Sequence, residues 1–126
     1  MRAVLDTSVV IASDVPWLEG ELAVSAVTLA ELHFGVLAAR DDGSRAERLR
    51  RLALVERSFD PLPVDAAVAR AFGRVAAAVV TRGRDPRPRA MDLLVAATAL
   101  AHNARLYTRN AADLTGVEEL LDVVAV

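Results

Sequence analysis

The chain has 126 residues, the size of one ordinary domain, and 54% of them are apolar, enough for a real core but not for two. Its net charge of −2 does not by itself predict polyanion binding, and the lack of cysteine excludes disulfides and thiolate metal sites and favours a cytoplasmic setting. The longest apolar run, Leu93–Ala101, is too short to span a bilayer, and Asp6 interrupts any secretory signal after Arg2, so no membrane is expected as a partner.

Apolar runs alternate with helical stretches, and no repeat, low-complexity tract or linker intervenes. That order predicts an α/β fold, a central parallel sheet flanked by helices, in one domain over residues 1–126. The first strand is Ala3–Leu5, stopping at Asp6, with Thr7 or Ser8 capping a short helix through Val9–Ala12. Pro16, Trp17 and Gly20 mark a turn before a short strand near Leu22–Val24. Ser25 then caps a helix to about Arg40 that carries Glu31. Gly35, one turn beyond Glu31, would let that helix approach the sheet closely, while His33 faces elsewhere and, like His102, reads as structural.

Asp41-Asp42-Gly43-Ser44 is a break, and Ser44 with Glu47 forms a capping-box pattern for a helix with Leu49, Leu52 and Ala53 on one face. Phe59 to Val64, broken by Pro61 and Pro63, reads as an edge-type extended segment. Asp65 caps a helix to about Arg82. Every basic residue is an arginine, which a GC-rich genome explains in large part. Even so, Arg82, Arg84, Arg87 and Arg89 form a dense segment before Asp92, and Gly83, Pro86 and Pro88 make it an extended loop. The next helix starts near Ala90 and is apolar almost all round, so it should be buried against the sheet. Leu106–Thr108 is a strand, and Asp122–Val126 offers a last one.

Asp6, Glu31, Asp92 and Asp113 all fall at strand ends or in the first turns that follow, the rim where open parallel sheets bind ligands. Each also has a plain structural role: Asp6 as a cap, Glu31 in a capping box with Thr28, Asp92 at a helix N-terminus and Asp113 ending a turn begun at Asn110. Together they point to a hard divalent cation, Mg²⁺ or Mn²⁺, because converging carboxylates repel one another without one. Ser8, Thr108 and Asn110 are placed to hold a metal-bound water or to orient a carboxylate. Arginines suit phosphate and unpaired bases, so Arg82, Arg84, Arg87 and Arg89 are expected to guide RNA across the acidic site. A metal-dependent hydrolase is the leading reading.

Asp6-Thr7-Ser8, Ala30-Glu31-Leu32 with Gly35, Asp92-Leu93-Leu94-Val95-Ala96-Ala97-Thr98-Ala99, and Thr108-Arg109-Asn110 leading to Asp113 occur in an order that resembles the PIN-domain ribonucleases, specifically the VapC toxins of bacterial toxin–antitoxin pairs. The resemblance covers nearly the whole chain. It implies a PIN-like three-layer α/β/α sandwich, an acidic Mg²⁺/Mn²⁺ site, cleavage of RNA, and a homodimer neutralised by a cognate VapB-type antitoxin. By position it makes Asp6 and Asp92 the main metal ligands and Glu31 and Asp113 the remaining acidic partners. Leu114 stands where relatives often carry an aromatic, a departure that touches the register at Asp113.

Other classes fit less well. A phosphoryl-receiver domain needs a lysine at its site, and this chain has none. A dehalogenase-type phosphatase needs Asp-x-Asp where Asp6-Thr7-Ser8 stands, and a nucleotide switch needs a phosphate loop that is missing. The alternative from another class is a non-catalytic PIN-like RNA- or protein-binding module, distinguished by whether the protein turns over RNA.

Overall fold

Side-chain alternation along the first strand decides the layering. In β1 (Arg2–Leu5), Val4 packs into one apolar cluster while Ala3 and Leu5 pack into another. A strand whose successive side chains feed two cores must be covered on both faces. The structure, a computed structural model describing residues 1–126, has four strands in the order β2-β1-β3-β4, all parallel. The partners of β1 are β2 (Glu21–Ala23) and β3 (Arg105–Thr108), and β4 (Val123–Ala125) lies outside β3. In β3, Leu106 faces the first cluster and Tyr107 the second. No helix is long and apolar enough to cross a membrane.

One face is covered by α4 (Ala66–Thr81) and α5 (Ala90–Ala101). Asp65 caps α4 by accepting from the Val68 N–H at 3.0 Å, as expected. The buried stripe of α4 is Val68, Ala71, Val75 and Val79, spaced for one helical face. In α5, Leu93, Val95, Ala96, Ala97, Thr98 and Ala99 are all buried, in keeping with an all-round apolar helix. Full burial of a leucine or valine contributes about 1.5–3 kcal/mol, so Leu93, Val95 and Leu106 alone anchor α5 to β3 firmly.

The other face holds α1 (Thr7–Val10), α2 (Ala26–Leu37) and α3 (Asp42–Ser58), around Val9, Leu32, Leu52 and Val55. Three boundaries differ from expectation. The first short helix starts at Thr7, with Asp6 at its cap position but making no side-chain cap bond. The second ends at Leu37, short of Arg40; Arg48 of α3 donates to the Gly35 carbonyl of its last turn at 2.7 Å, and Arg45 to the Ala39 carbonyl just beyond it at 2.8 Å. The cap of α3 is Asp41, not Ser44: its carboxylate accepts from the Ser44 N–H at 2.8 Å, which places Ser44 inside the first turn. With that start, the buried face of α3 is Leu52 and Val55, and Leu49 and Ala53 lie outside it.

The Phe59–Val64 segment is edge-like as expected. It makes a single parallel bridge, Ser25 to Leu62, with Ala26 N–H donating to Leu62 O at 2.8 Å and Leu62 N–H to Val24 O at 2.9 Å. Pro61 and Pro63 lack the N–H groups that would extend the ladder.

Candidate active site

The carboxyl ends of β1 and β3 lie side by side, because Leu5 pairs with Tyr107 and the Asp6 N–H donates to the Tyr107 carbonyl at 2.9 Å. Their next residues, Asp6 and Thr108, are therefore neighbours at the rim. Asp6 is only 3% exposed. Its Oδ2 accepts hydrogen bonds from Ser8 Oγ at 2.6 Å and Thr108 Oγ1 at 2.9 Å, and both fall on that one oxygen. These two hydroxyls are fixed in turn: Ser8 Oγ accepts from the Arg109 N–H and Thr108 Oγ1 from the Asn110 N–H, each at 3.0 Å. Ser8 and Thr108 thus converge on one oxygen of the Asp6 carboxylate and restrain its rotation. Asn110 contributes its backbone N–H to that network, but its exposed side chain makes no capping bond to the turn Ala111–Leu114.

Glu31 comes from α2, whose cap is Ser25. A capping box between Glu31 and Thr28 is therefore not formed, since Thr28 lies within the helix. Instead Thr7 Oγ1 donates to Glu31 Oε1 at 2.7 Å and sits 2.9 Å from the Thr28 hydroxyl. Sequence reasoning read Thr7 only as a helix cap. The one hint of this role was its place directly after Asp6, which brings it to the same rim.

Asp92 lies in the first turn of α5, half-buried and without a hydrogen-bond or ion-pair partner of its own. Burial pushes its pKa above the ordinary 3.8, and the charges of Asp6, Glu31 and Asp113 push it further, against the opposing pull of Arg89. The three other carboxylates all act on Asp92, so the four residues singled out from the sequence share one electrostatic site. Asp113 begins from a turn in which its N–H donates to the Asn110 carbonyl at 2.9 Å, and its carboxylate is 3.2 Å from the Arg89 guanidinium.

The acids do not close into a cage: no three acidic or histidine side chains stand close enough to grip an ion unaided. Their neighbours explain the spacing, for Asp6 is held by two hydroxyls, Glu31 by Thr7 and Asp113 by Arg89. Magnesium characteristically takes one or two carboxylates and keeps several waters, which an open cluster of this kind fits better than a closed one. Asp6 Oδ1 also remains free of protein donors, and it is not sealed from solvent.

The arginine segment borders this site but is not a free extended loop. It contains a 3₁₀ turn at Arg87–Arg89. Arg82 is ion-paired with Glu119, Arg87 with Asp85, and Arg89 with Asp113, while Arg84 donates to the Ala112 carbonyl at 3.3 Å. One acid within the segment, Asp85, and two from further along the chain, Asp113 and Glu119, hold three of the arginines. A shallow depression nonetheless runs from Arg87 and Arg89 to Asp92 and Glu31.

A larger cleft of about 530 Å³, between α2 and α3, shares Glu31 with that depression. Thr7, Glu31 and Gly35 line it together with Arg48 and Arg51. Gly35 does not serve close packing on the sheet, because a Cβ at that position would meet nothing within 4 Å. His33 reaches α3, where it pairs with Glu56 at 2.7 Å, and His102 is the C-cap of α5; neither side chain joins the acidic site.

The PIN domain family model matches residues 3–114. Ribonuclease VapC5 of Mycobacterium tuberculosis is 39% identical over 113 residues, 85% of this chain and 82% of that protein. Ribonuclease VapC4 of the same organism is 36% identical, covering 86% of each chain. Among solved structures, VapBC-5 from Mycobacterium tuberculosis, described as a member of the VapBC family of toxin–antitoxin systems, superposes with a TM-score of 0.82 at 37% identity over 99% of this chain and 97% of that one. FitAcB from Neisseria gonorrhoeae shares the fold at a TM-score of 0.77 and 24% identity, covering 96% of this chain and 95% of that one. Match length, identity and superposition agree with the rim geometry: the chain belongs to the PIN-domain family, among the VapC proteins.

Proposed function

We propose that this chain is a Mg²⁺- or Mn²⁺-dependent endoribonuclease that hydrolyses RNA phosphodiester bonds, a VapC-type toxin neutralised by a cognate VapB-type antitoxin. The observation that carries this reading is the pairing of Asp6 with Asp92. The first is buried and locked by two hydroxyls, and the second is unpartnered, with its proton affinity raised by burial and three neighbouring carboxylates. Such a pair is electrostatically unfavourable alone and is relieved by a cation between its members. The names of the matched relatives, ribonucleases of the VapC type, support the same reaction.

In this reading Asp6 and Asp92 hold the ion, and Glu31 and Asp113 complete the acidic set. Thr7 keeps the Glu31 carboxylate facing the site, and Ser8 and Thr108 keep the Asp6 carboxylate from rotating. Held by these carboxylates, a Mg²⁺ or Mn²⁺ ion would supply the chemistry of an acidified water and of charge stabilisation at the departing oxygen. Arg84 and Arg87, exposed beside the rim, with Arg82 and Arg89 behind their ion pairs, would track the phosphates of the approaching strand. The toxin is read as a cytoplasmic homodimer.

The test incubates purified protein with total RNA in Mg²⁺, Mn²⁺ or EDTA and sequences the new ends. Discrete ends that appear with metal and vanish in EDTA are the expected result. RNA that is bound but never cut, at any metal concentration, would instead make the chain a non-catalytic PIN-like module.

A further inference from the structure

The α2–α3 cleft is not needed to explain the acidic site, yet it opens directly onto it, because Thr7 and Glu31 line both. A nucleic acid strand with its reacting phosphate at Asp6 and Asp92 must therefore lay a neighbouring residue near this cleft. About 530 Å³ is within the size of small-ligand pockets. The lining is mixed: Leu32 supplies an apolar wall, Arg48 and Arg51 supply guanidinium donors, and Glu47 supplies an acceptor. A simple anion site would exclude Glu47, and a lipid or apolar peptide groove would exclude the arginines. Donors, an acceptor and an apolar wall in one cleft match a nucleotide, whose phosphate and base edge take both kinds of partner and whose base face takes the wall or a guanidinium plane.

The two arginines are not equivalent. Arg48 is fixed by its 2.7 Å bond to the Gly35 carbonyl. Arg51 is half-buried at the cleft and takes part in none of the chain's ion pairs. Arg51 lacks even the surface ion pairs and carbonyl bond that the arginines of the 82–89 segment would have to exchange, so it can meet substrate near Glu31 without giving up a partner. Gly35 leaves the opposite wall bare, for a side chain there would project into open space.

We propose that the α2–α3 cleft is a recognition subsite for one nucleotide flanking the cleaved bond, with Arg51 as the contacting group and Gly35 as the position that keeps the cleft open. This rests on the ribonuclease reading above.

The experiment compares the full-length wild type with Arg51→Ala, Arg51→Lys and Gly35→Leu. Each is assayed in Mn²⁺ on an RNA oligonucleotide carrying a mapped wild-type cleavage site, with the base on either side varied. RNA binding is measured separately in EDTA by fluorescence anisotropy. Gly35→Leu removes a helix-interior glycine and meets no neighbour, so it is expected to fold at least as stably as wild type. Arg51→Ala is expected to raise KM roughly tenfold with little change in kcat, the signature of weakened binding with the chemistry intact. Arg51→Lys should restore part of the phosphate contact but not base preference. Gly35→Leu should raise KM and alter the preferred flanking base, while the Mn²⁺-induced rise in Tm stays at the wild-type value. Unchanged KM, EDTA binding and base preference in Arg51→Ala and Gly35→Leu would overturn the subsite and leave the cleft to a protein partner. Wild-type RNA binding without cleavage would sink the nuclease reading instead, and the EDTA arm would still decide the subsite: weaker binding by both variants upholds it, and equal binding overturns it.

Discussion

At the scale of single residues, Asp6 and Asp92 are alike in charge but opposite in setting. Asp6 is satisfied by hydroxyls, whereas Asp92 has only burial and like charge around it. Asp6→Asn or Asp92→Asn is expected to cut RNA cleavage by more than the roughly 10–100-fold typical of partners behind a metal ligand, with the fold intact. Wild-type turnover in either variant at matched metal concentration would end the ligand assignment. Stability should move the other way for Asp92→Asn. Because the folded state raises the Asp92 pKa above 3.8, Asp92 favours folding fully below that value and loses its contribution as pH rises through the raised pKa. Metal-free Asp92→Asn should therefore melt at or above wild type at neutral pH, and the difference should shrink as pH falls toward 3.8. A variant that melts lower at neutral pH in EDTA would contradict the repulsion. Thr108→Val tests the support directly, because it keeps the β-branched shape in β3 and deletes one of the two hydroxyls on Asp6. A loss of about 10–100-fold in metal affinity is expected by titration calorimetry, and an unchanged affinity would reduce Thr108 to a buried structural threonine.

Among the elements, the arginine segment illustrates how a charge run acquires different roles once folded. Its four side chains are expected to act as one RNA guide, but three are drawn into ion pairs by acids that lie within the segment, at Asp85, or well after it, at Asp113 and Glu119. Arg89 in particular sits on Asp113, so replacing it changes the acidic site as well as any RNA contact. Arg84 and Arg87 separate these effects better, being exposed and paired with none of the four carboxylates. Surface ion pairs are worth little, so the Asp85 partner of Arg87 yields readily to a phosphate. The double variant Arg84→Ala with Arg87→Ala should weaken RNA binding and flatten its dependence on salt, because each phosphate that is no longer neutralised takes roughly one released counterion from the slope. Metal affinity should stay put. Filter binding over a salt series that gives the wild-type slope would return this segment to a purely solvating role.

For the molecule as a whole, the parts legible in the sequence are those that depend on local period. Ala3–Leu5 and Leu106–Thr108 end in polar residues at the sheet's rim, and the all-apolar α5 announces its burial, so the layers and the four acids could be read in order. What could not be read are contacts between distant helices. Thr7 meeting Glu31, Arg89 meeting Asp113 and the α2–α3 cleft all arise from packing, to which residue spacing is blind. The apolar excess of α2 lies between these cases. Its six large apolar residues exceed what one small core takes from one helix, and the structure divides them: Val27 and Leu32 are buried, Leu29 and Val36 are half-buried, and Phe34 and Leu37 are 71% and 80% exposed. Phe34 and Leu37, three residues apart, share a helix face. In a two-fold interface each appears twice, so burying all of them would contribute on the order of 6–12 kcal/mol before the cost of association, itself about 4–15 kcal/mol. That balance makes a homodimer through α2 feasible but sensitive to a single change. Phe34→Glu is expected to convert the dimer to monomer at micromolar concentration while the circular dichroism of the domain is kept. A wild-type mass of one chain by light scattering would count against the dimer outright. A Phe34→Glu variant that stays dimeric would move the interface away from α2.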